Sequence, residues 1–389
     1  MNSPARRWSN LGAAAGAAAA ALFAAFDLYQ WALAYASDHF HNDLTFYLVG
    51  ARIGLAHGWG SIYDLGLQQA QLDAMGSGIT IAQLARYISP PPVAWAAVPF
   101  TVLPYPVAYW AWSALLVAAL VLTWRLAAPG SGRARVIFLL AAVGWLPVIY
   151  ALQLGQPGLF VAAGVATSYT LLRTRRPVWA GVALGVLVLK PQLAFLLPPA
   201  LLVAREYRAF AAAVVALGAI GLVSVVALGP DGVNAYLARL SFASGVAVNR
   251  ELTLSYLLGD AARPAQVFIA AWTMLMAWRL RRRGLEWVYA CALAGGMLAT
   301  PYAHLDDLVM LGLAGWLCLR AGTPMWTWLY AFAVLVAVEG IAIWGPAPVL
   351  AAELGLLVLL SIAALTRAPV PAPALPRPAD RSPQLTTPR

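Results

Sequence analysis

Charge is what this sequence has least of. Asp, Glu, Lys and Arg make up 10% of its 389 residues, against about 25% in ordinary soluble domains. Hydrophobic residues make up 62%, and a chain of this size cannot bury that much apolar surface in a water-facing globule. A soluble protein is excluded. The chain has only two cysteines, Cys291 and Cys318, both inside apolar runs, so neither a disulfide framework nor a thiolate metal pair is expected. It also lacks a GxxxxGK[ST] loop and a dinucleotide fingerprint, so it carries no ATPase module that could drive transport. Lysine occurs once, at Lys190.

What is present is a succession of apolar runs, with mean hydropathy +0.75. Runs of about 20 such residues cross a bilayer. The expected crossings begin with Leu11–Tyr35 and continue near 105–126, 136–152, 158–172, 178–189, 192–204, 209–228, 264–279, 286–300, 306–320, 325–344 and 347–366. The fold class is therefore an all-α integral membrane bundle of about twelve transmembrane or half-membrane helices. The stretches 178–189 and 192–204 are short for two full crossings. They read as half-helices or as one helix kinked at Pro191.

The net charge of +10 would suggest nucleic acid in a soluble protein, but the arginines sit in short loops between apolar runs: Arg6-Arg7, Arg125/Arg133/Arg135, Arg173/Arg175/Arg176, Arg205/Arg208, Arg279–Arg283 and Arg320. Cytoplasmic loops carry this excess. No nucleic acid is expected, and contact with anionic membrane lipids is. Both termini are then cytoplasmic, in a bacterial inner membrane, with residues 36–104 forming a long extracytoplasmic loop. The N-terminal segment reads as an uncleaved signal-anchor. Residues 1–366 form one membrane domain, and 367–389 a Pro-rich, disordered cytoplasmic tail.

This topology sends His39, His41, His57 and His304 outward, together with Asp38, Asp43, Asp64, Asp73, Asp231, Glu251, Asp260, Asp306 and Asp307. Polar loops need no special account, but the inner side is almost devoid of acids, and the asymmetry favours a site outside. In the long loop, Leu44–His57 reads as an amphipathic helix on the membrane surface with Arg52 on its polar side. Asp64–Met75 reads as a second short helix, and Val93–Leu103 as a re-entrant or interfacial piece. Asp43 is either a general base at a helix–water junction or the N-cap of the following helix; Asp38 is a weaker candidate for the same role. A metal held by Asp38, His39, His41 and Asp43 is the less favoured reading, and no metal or other cofactor is expected.

Lys190 interrupts an apolar stretch beside Pro191. An ionisable group there is costly and points to function, and a lone ammonium would suit a phosphate. Gln153–Gly158 forms a tight turn presenting Gln156. His304 and Asp307, three apart, would share a helix face and hold a proton or sugar hydroxyls. The stretch Tyr236–Asp260, with Arg239 and Arg250, reads as an outer loop over a cleft.

In order, the chain carries Asp43-Leu-Thr-Phe-Tyr-Leu-Val-Gly-Ala, Gly60-Ser-Ile-Tyr63-Asp64, Pro90-Pro91-Pro92 leading to Pro99 and Leu103-Pro104, Gly155-Gln156, Lys190-Pro191-Gln192 and Pro301-Tyr302-Ala303-His304. This succession resembles the polytopic membrane glycosyltransferases of family 87 in the GT-C superfamily. Leu305-Asp306-Asp307 departs from the pattern, which has an acid and an aromatic ahead of its final Asp. The resemblance implies inverting transfer of a hexose, often mannose, from a polyprenyl-phosphate sugar to an extracytoplasmic lipid or glycan acceptor. It implies Asp43 as the base, with Lys190, Gln156, His304, Asp307 and an outer arginine, Arg86 or Arg250, around the donor. A polytopic transporter or lipid flippase is the alternative.

The arginine pattern makes a direct prediction about sidedness. Alkaline phosphatase fused within 36–104 should be active, and fused after Arg176 inactive; the opposite pattern would overturn the orientation.

Overall fold

In the computed structural model, residues 4–81, 86–322 and 325–366 are described, and those residues form helices and turns with no strand. The expected tail 367–389 lies outside the described residues. Helix α1, Pro4–Ser37, is the Ala-rich first run. It ends where the Asp38 carboxylate accepts from the backbone N–H groups of Phe40 (3.3 Å) and His41 (3.2 Å), turning the chain back on itself.

Helix α2, Asp43–His57, starts at Asn42, whose side chain accepts from Thr45 N at 3.3 Å. Asn42 is therefore the cap, and Asp43 is left free for other work. Nor does α2 lie on the membrane surface. Residues Leu44 to Ala51, with Ile53 and Gly54, are buried, because helices α3, Leu65–Ala74, and α4, Pro91–Ala97, pack over it. The apolar residues that looked like a lipid-facing stripe face protein instead. Pro91 and Pro92 start α4 where missing N–H groups cost nothing.

Helix α5, Tyr105–Ala127, is long and apolar enough for a full crossing. The next run is broken at Gly144-Trp145 into α6, Gly132–Val143, and α7, Leu146–Leu154, whose apolar segments meet at 56°. Helix α8, Gly158–Arg173, follows. The Lys190 region adopts the half-helix alternative. Helix α9, Pro177–Ala183, passes into 3-10 turns at Leu184–Leu189 and Pro191–Leu193 before α10, Leu197–Val203.

Helix α11, Tyr207–Gly245, is long and apolar enough to cross and breaks at Gly229 (φ 65°) before Pro230. Beyond the break it continues as helix to Gly245, so the first part of the expected 236–260 loop is helical. Glycine is needed there because the left-handed backbone is costly for other residues. Short α12, Leu254–Leu258, leads to α13, Ala262–Leu280, and to α14, Leu285–Ala299, which is buried along most of its length. Helices α15, Val309–Arg320, α16, Met325–Glu339, α17, Ile341–Trp344, and α18, Ala347–Leu365, complete the bundle.

Among the described residues, four helices qualify as crossings by length and hydropathy (Ala14–Ser37 within α1, α5, α11 and α18), or five if the bent α6–α7 pair is one span. Of the other expected crossings, α8 and α14 are shorter apolar helices. The chain is a multi-pass helical membrane protein. Cys291 and Cys318 are free and buried.

One close approach ties the loop to the bundle. A Cβ on Gly60 would lie 2.8 Å from the Leu228 carbonyl oxygen, and one on Gly232 would lie 2.9 Å from the Gly60 Cα. The Gly60–Tyr63 turn thus packs backbone to backbone against the break in α11. Gly60→Val should cost about 1–3 kcal/mol by overpacking, read as a lower unfolding temperature of the detergent-solubilised protein. Gly218→Val, where a Cβ meets nothing within 4 Å, should leave it near wild type.

Candidate active site

Four separate segments bring their polar residues to one place. The first is the start of α2. Asp43 is its first residue, and Tyr47 follows one turn later on the same face. The second is the turn after α7. Gly155 takes the left-handed conformation (φ 73°), and Gln156 N returns to Ala151 O at 2.8 Å, which closes the helix end. Glycine is required there twice over, since a Cβ would also stand 3.1 Å from that of Leu44. Trp112 Nε1 holds the Gly155 carbonyl at 2.8 Å. The turn so fixed delivers Gln156, whose amide N–H donates to Asp43 Oδ2, while Tyr47 O–H donates to Gln156 Oε1 at 3.3 Å.

The third segment is the broken stretch around Lys190. Between two 3-10 turns, with φ −151° and ψ 74°, Lys190 leaves the helical path and its ammonium donates to both Asp306 and Asp307. These acids belong to the fourth segment, a 3-10 turn at Leu305–Leu308. Both carboxylates are fully buried. Asp307 Oδ2 also accepts from His304 N at 2.9 Å, while the His304 imidazole Nε2 meets the Tyr302 hydroxyl at 2.8 Å. His304 and Asp307 therefore meet through the backbone of His304 and not across a helix face. Gly158, at the start of α8, lies between the fourth segment and Leu193 of the third.

The four segments share an electrostatic field. Asp43 is half-buried. Its carboxyl is pushed up to about 7, first by its enclosure in protein, then by the Asp306 charge. Lys190 and the Gln156 hydrogen bond pull in the opposite direction. Burial pushes the His304 imidazole down, so its neutral form is favoured. The site thus holds three carboxylates against one ammonium. A carboxyl with proton affinity near neutrality, half-buried and oriented by an amide, is equipped to take a proton from a bound hydroxyl.

The sequence candidates divide accordingly. Asp43, Gln156, Lys190, His304 and Asp307 come together. Lys190 is not the lone ammonium expected, because two buried acids already occupy it. Arg250 is exposed at the end of a 3-10 turn, beside the loop whose Ala303 N donates to Asn249 O at 3.2 Å. Arg86 lies with its guanidinium 4.0 Å from the centre of the Phe242 ring and is influenced by Arg239; neither residue is among the charges acting on Asp43. Asp38 pairs with His41 at the surface. Tyr47, Tyr302 and Asp306 are site residues that residue-by-residue reading passed over. The i, i+4 spacing of Asp43 and Tyr47 and the Asp306-Asp307 doublet were the available signals.

Fold and site together define a helical membrane enzyme whose carboxylates lie where several broken segments meet. The sequence model of glycosyltransferase family 87 matches residues 87–303, more than half of the chain, and the chain belongs to that family. It is a membrane glycosyltransferase, which sets the transport alternative aside. No curated protein and no solved structure matches. The matched stretch includes Gln156 and Lys190, whereas Asp43, His304, Asp306 and Asp307 fall outside it and join the site by folding.

The triad sets a stability test. Lys190→Met strands two buried carboxylates and should cost about 3–5 kcal/mol. Adding Asp306→Asn and Asp307→Asn should restore most of the loss in thermal unfolding. A single variant as stable as wild type would remove the triad from the account of the fold.

Proposed function

We propose that the chain transfers a hexose, mannose in the first instance, from a polyprenyl-phosphate sugar to a hydroxyl of a lipid or glycan acceptor on the extracytoplasmic side of the inner membrane. The observation that carries this reading is Asp43, half-buried, raised toward neutrality and held by Gln156. In the proposed step, Asp43 takes the acceptor O–H proton as the oxygen attacks the anomeric carbon. The bond from that carbon to the phosphate oxygen breaks, and its electron pair leaves with the lipid phosphate. Attack opposite the leaving group inverts the centre.

Gln156 orients the carboxylate through one oxygen, leaving the other for the acceptor. The Lys190–Asp306–Asp307 triad, with Tyr302 and His304, shapes the pocket wall and offers hydroxyl and imidazole groups to the sugar. No metal or cofactor is assigned, because the sugar arrives already activated on its lipid and Asp43 supplies the base.

The test uses membranes containing the full chain and radiolabelled polyprenyl-phosphate mannose. Asp43→Asn should lower transfer by about 10²–10⁴-fold, the range for a lost general base; transfer that persists would sink the assignment. The base works deprotonated, so kcat/KM should fall as pH drops below about 7 and level off above it. Gln156 pulls the Asp43 carboxyl down, so Gln156→Ala should move that limb to higher pH.

A further inference from the structure

Gln156 holds Asp43 only as firmly as α7 holds Gln156. Helix α7 has nine residues and runs about 12 Å from the break at Gly144-Trp145 to the Gly155 turn. On the way it packs against the Leu305–Leu308 turn, and Tyr150 in its middle lies within reach of the charges of Asp306 and Asp43. A helix this short moves as a rod, so what fixes its start also fixes the turn at its end.

The start has no cap of its own. Trp145 precedes it and offers no side-chain acceptor. Pro147 has no N–H to satisfy, and Val148 N and Ile149 N both reach the Trp145 carbonyl, at 2.9 and 3.3 Å. That leaves Leu146 N as the donor of the first turn without a local partner. Its acceptor comes from another helix: Glu339 Oε1, on the last residue of α16, takes it at 2.8 Å. A backbone donor left unpaired among apolar side chains is costly, so the bond ties the break to α16. Helix α1 backs the same place. A Cβ on Gly144 would lie 2.6 Å from Ala24 N, and the buried residues Ala24, Asp27 and Trp31 share one face of α1. Asp27, one turn from Ala24, brings its charge to bear on Glu339. At the far end of α7, Trp31 Nε1 donates to the Tyr109 hydroxyl at 2.6 Å, which donates to Gln153 O at 2.9 Å. Both ends of α7 are thus pinned from outside the helix.

We propose that Glu339 is a positioning residue for the transfer reaction: by accepting the Leu146 N–H at the α6–α7 break, it sets the axis of α7 and with it the contact of Gln156 with Asp43. This rests on the reading of Asp43 as the base and adds what keeps that base oriented. The break requires an acceptor, and an amide oxygen serves there as well as a carboxyl oxygen.

The test follows kcat/KM across pH for the full-length protein in membranes, with radiolabelled polyprenyl-phosphate mannose. Asp43 is faced by Gln156, Asp306 and Lys190 and by the hydroxyls of Tyr47, Tyr150 and Tyr302; of these, Tyr150 and Gln156 move with α7. A displacement of about 1 Å at a reacting group can cost up to about 10²-fold in rate. Glu339→Leu should therefore lower kcat/KM about tenfold or more and move the acid limb to higher pH, the direction expected of Gln156→Ala. Glu339→Gln should keep both near wild type. In a Gln156→Ala background, Glu339→Leu should move the limb no further, because the contact it serves is already gone. A wild-type profile in Glu339→Leu would overturn the assignment. So would lost activity with an unmoved limb, an equal loss in Glu339→Gln, or a further shift on top of Gln156→Ala. If Glu339→Leu fails to fold, Glu339→Asp decides, since its carboxyl stops one methylene short of Leu146: a raised limb supports the role and a wild-type limb overturns it. The base reading fails separately. An acid limb that persists in the residual activity of Asp43→Asn counts against Asp43, whereas one that vanishes with Asp43 yet ignores Glu339 removes only the positioning role.

Discussion

One ammonium shared by two buried carboxylates fixes the rest of this site. Lys190 comes from a stretch that could not have stayed helical, because Pro191 and the paired prolines 198 and 199 interrupt it. Asp306 and Asp307 come from a 3-10 turn more than a hundred residues later. Broken backbone at membrane depth is tolerated only where protein or a cavity satisfies it. The triad meets that condition by binding the two irregular segments to each other. Its balance is incomplete. Three charges sum to minus one, and Asp306 Oδ1 is enclosed without a partner. The His304 N–H to Asp307 supplies part of what the lysine cannot.

That surplus negative charge is felt at Asp43. A carboxyl half-buried among protein atoms already favours its neutral form, and the Asp306 charge adds to this more than Lys190 subtracts. The same triad that joins two segments thus sets the basicity of a residue on a third. Gln156 works in the other direction. Its position depends on a left-handed glycine, on a tryptophan holding that glycine's carbonyl and on the absence of a side chain facing Leu44. Structural and chemical roles are not separable here, because the residues that hold the segments together are the ones that set the field.

How much of this the sequence could tell follows from which interactions are local. Asp43, Gln156, Lys190 and His304 stood out because each is a polar residue at a break in apolar periodicity, and such breaks are visible in one dimension. The buried state of α2 was not visible. An apolar helix flanked by polar turns reads the same whether it meets lipid or α3 and α4. The partner of Lys190 was equally hidden, since nothing near it in sequence is acidic, and a lone ammonium was the natural inference. Asn42 and Asp43 are both good caps, and only the backbone angles choose between them. Which apolar helices are full crossings was hidden for a related reason. Apolar composition specifies burial, and in a bundle with broken segments a short helix such as α14 is as apolar as a crossing.

The distribution of charge also constrains the direction in which a leaving phosphate can go. Around Asp43 the polar cluster is net negative, so an anion formed there is repelled by Asp306 and Asp307 and finds in Lys190 a charge already neutralised. Transfer from a phosphate-linked sugar requires stabilisation of the phosphate as it departs, and that stabilisation must come from outside the cluster.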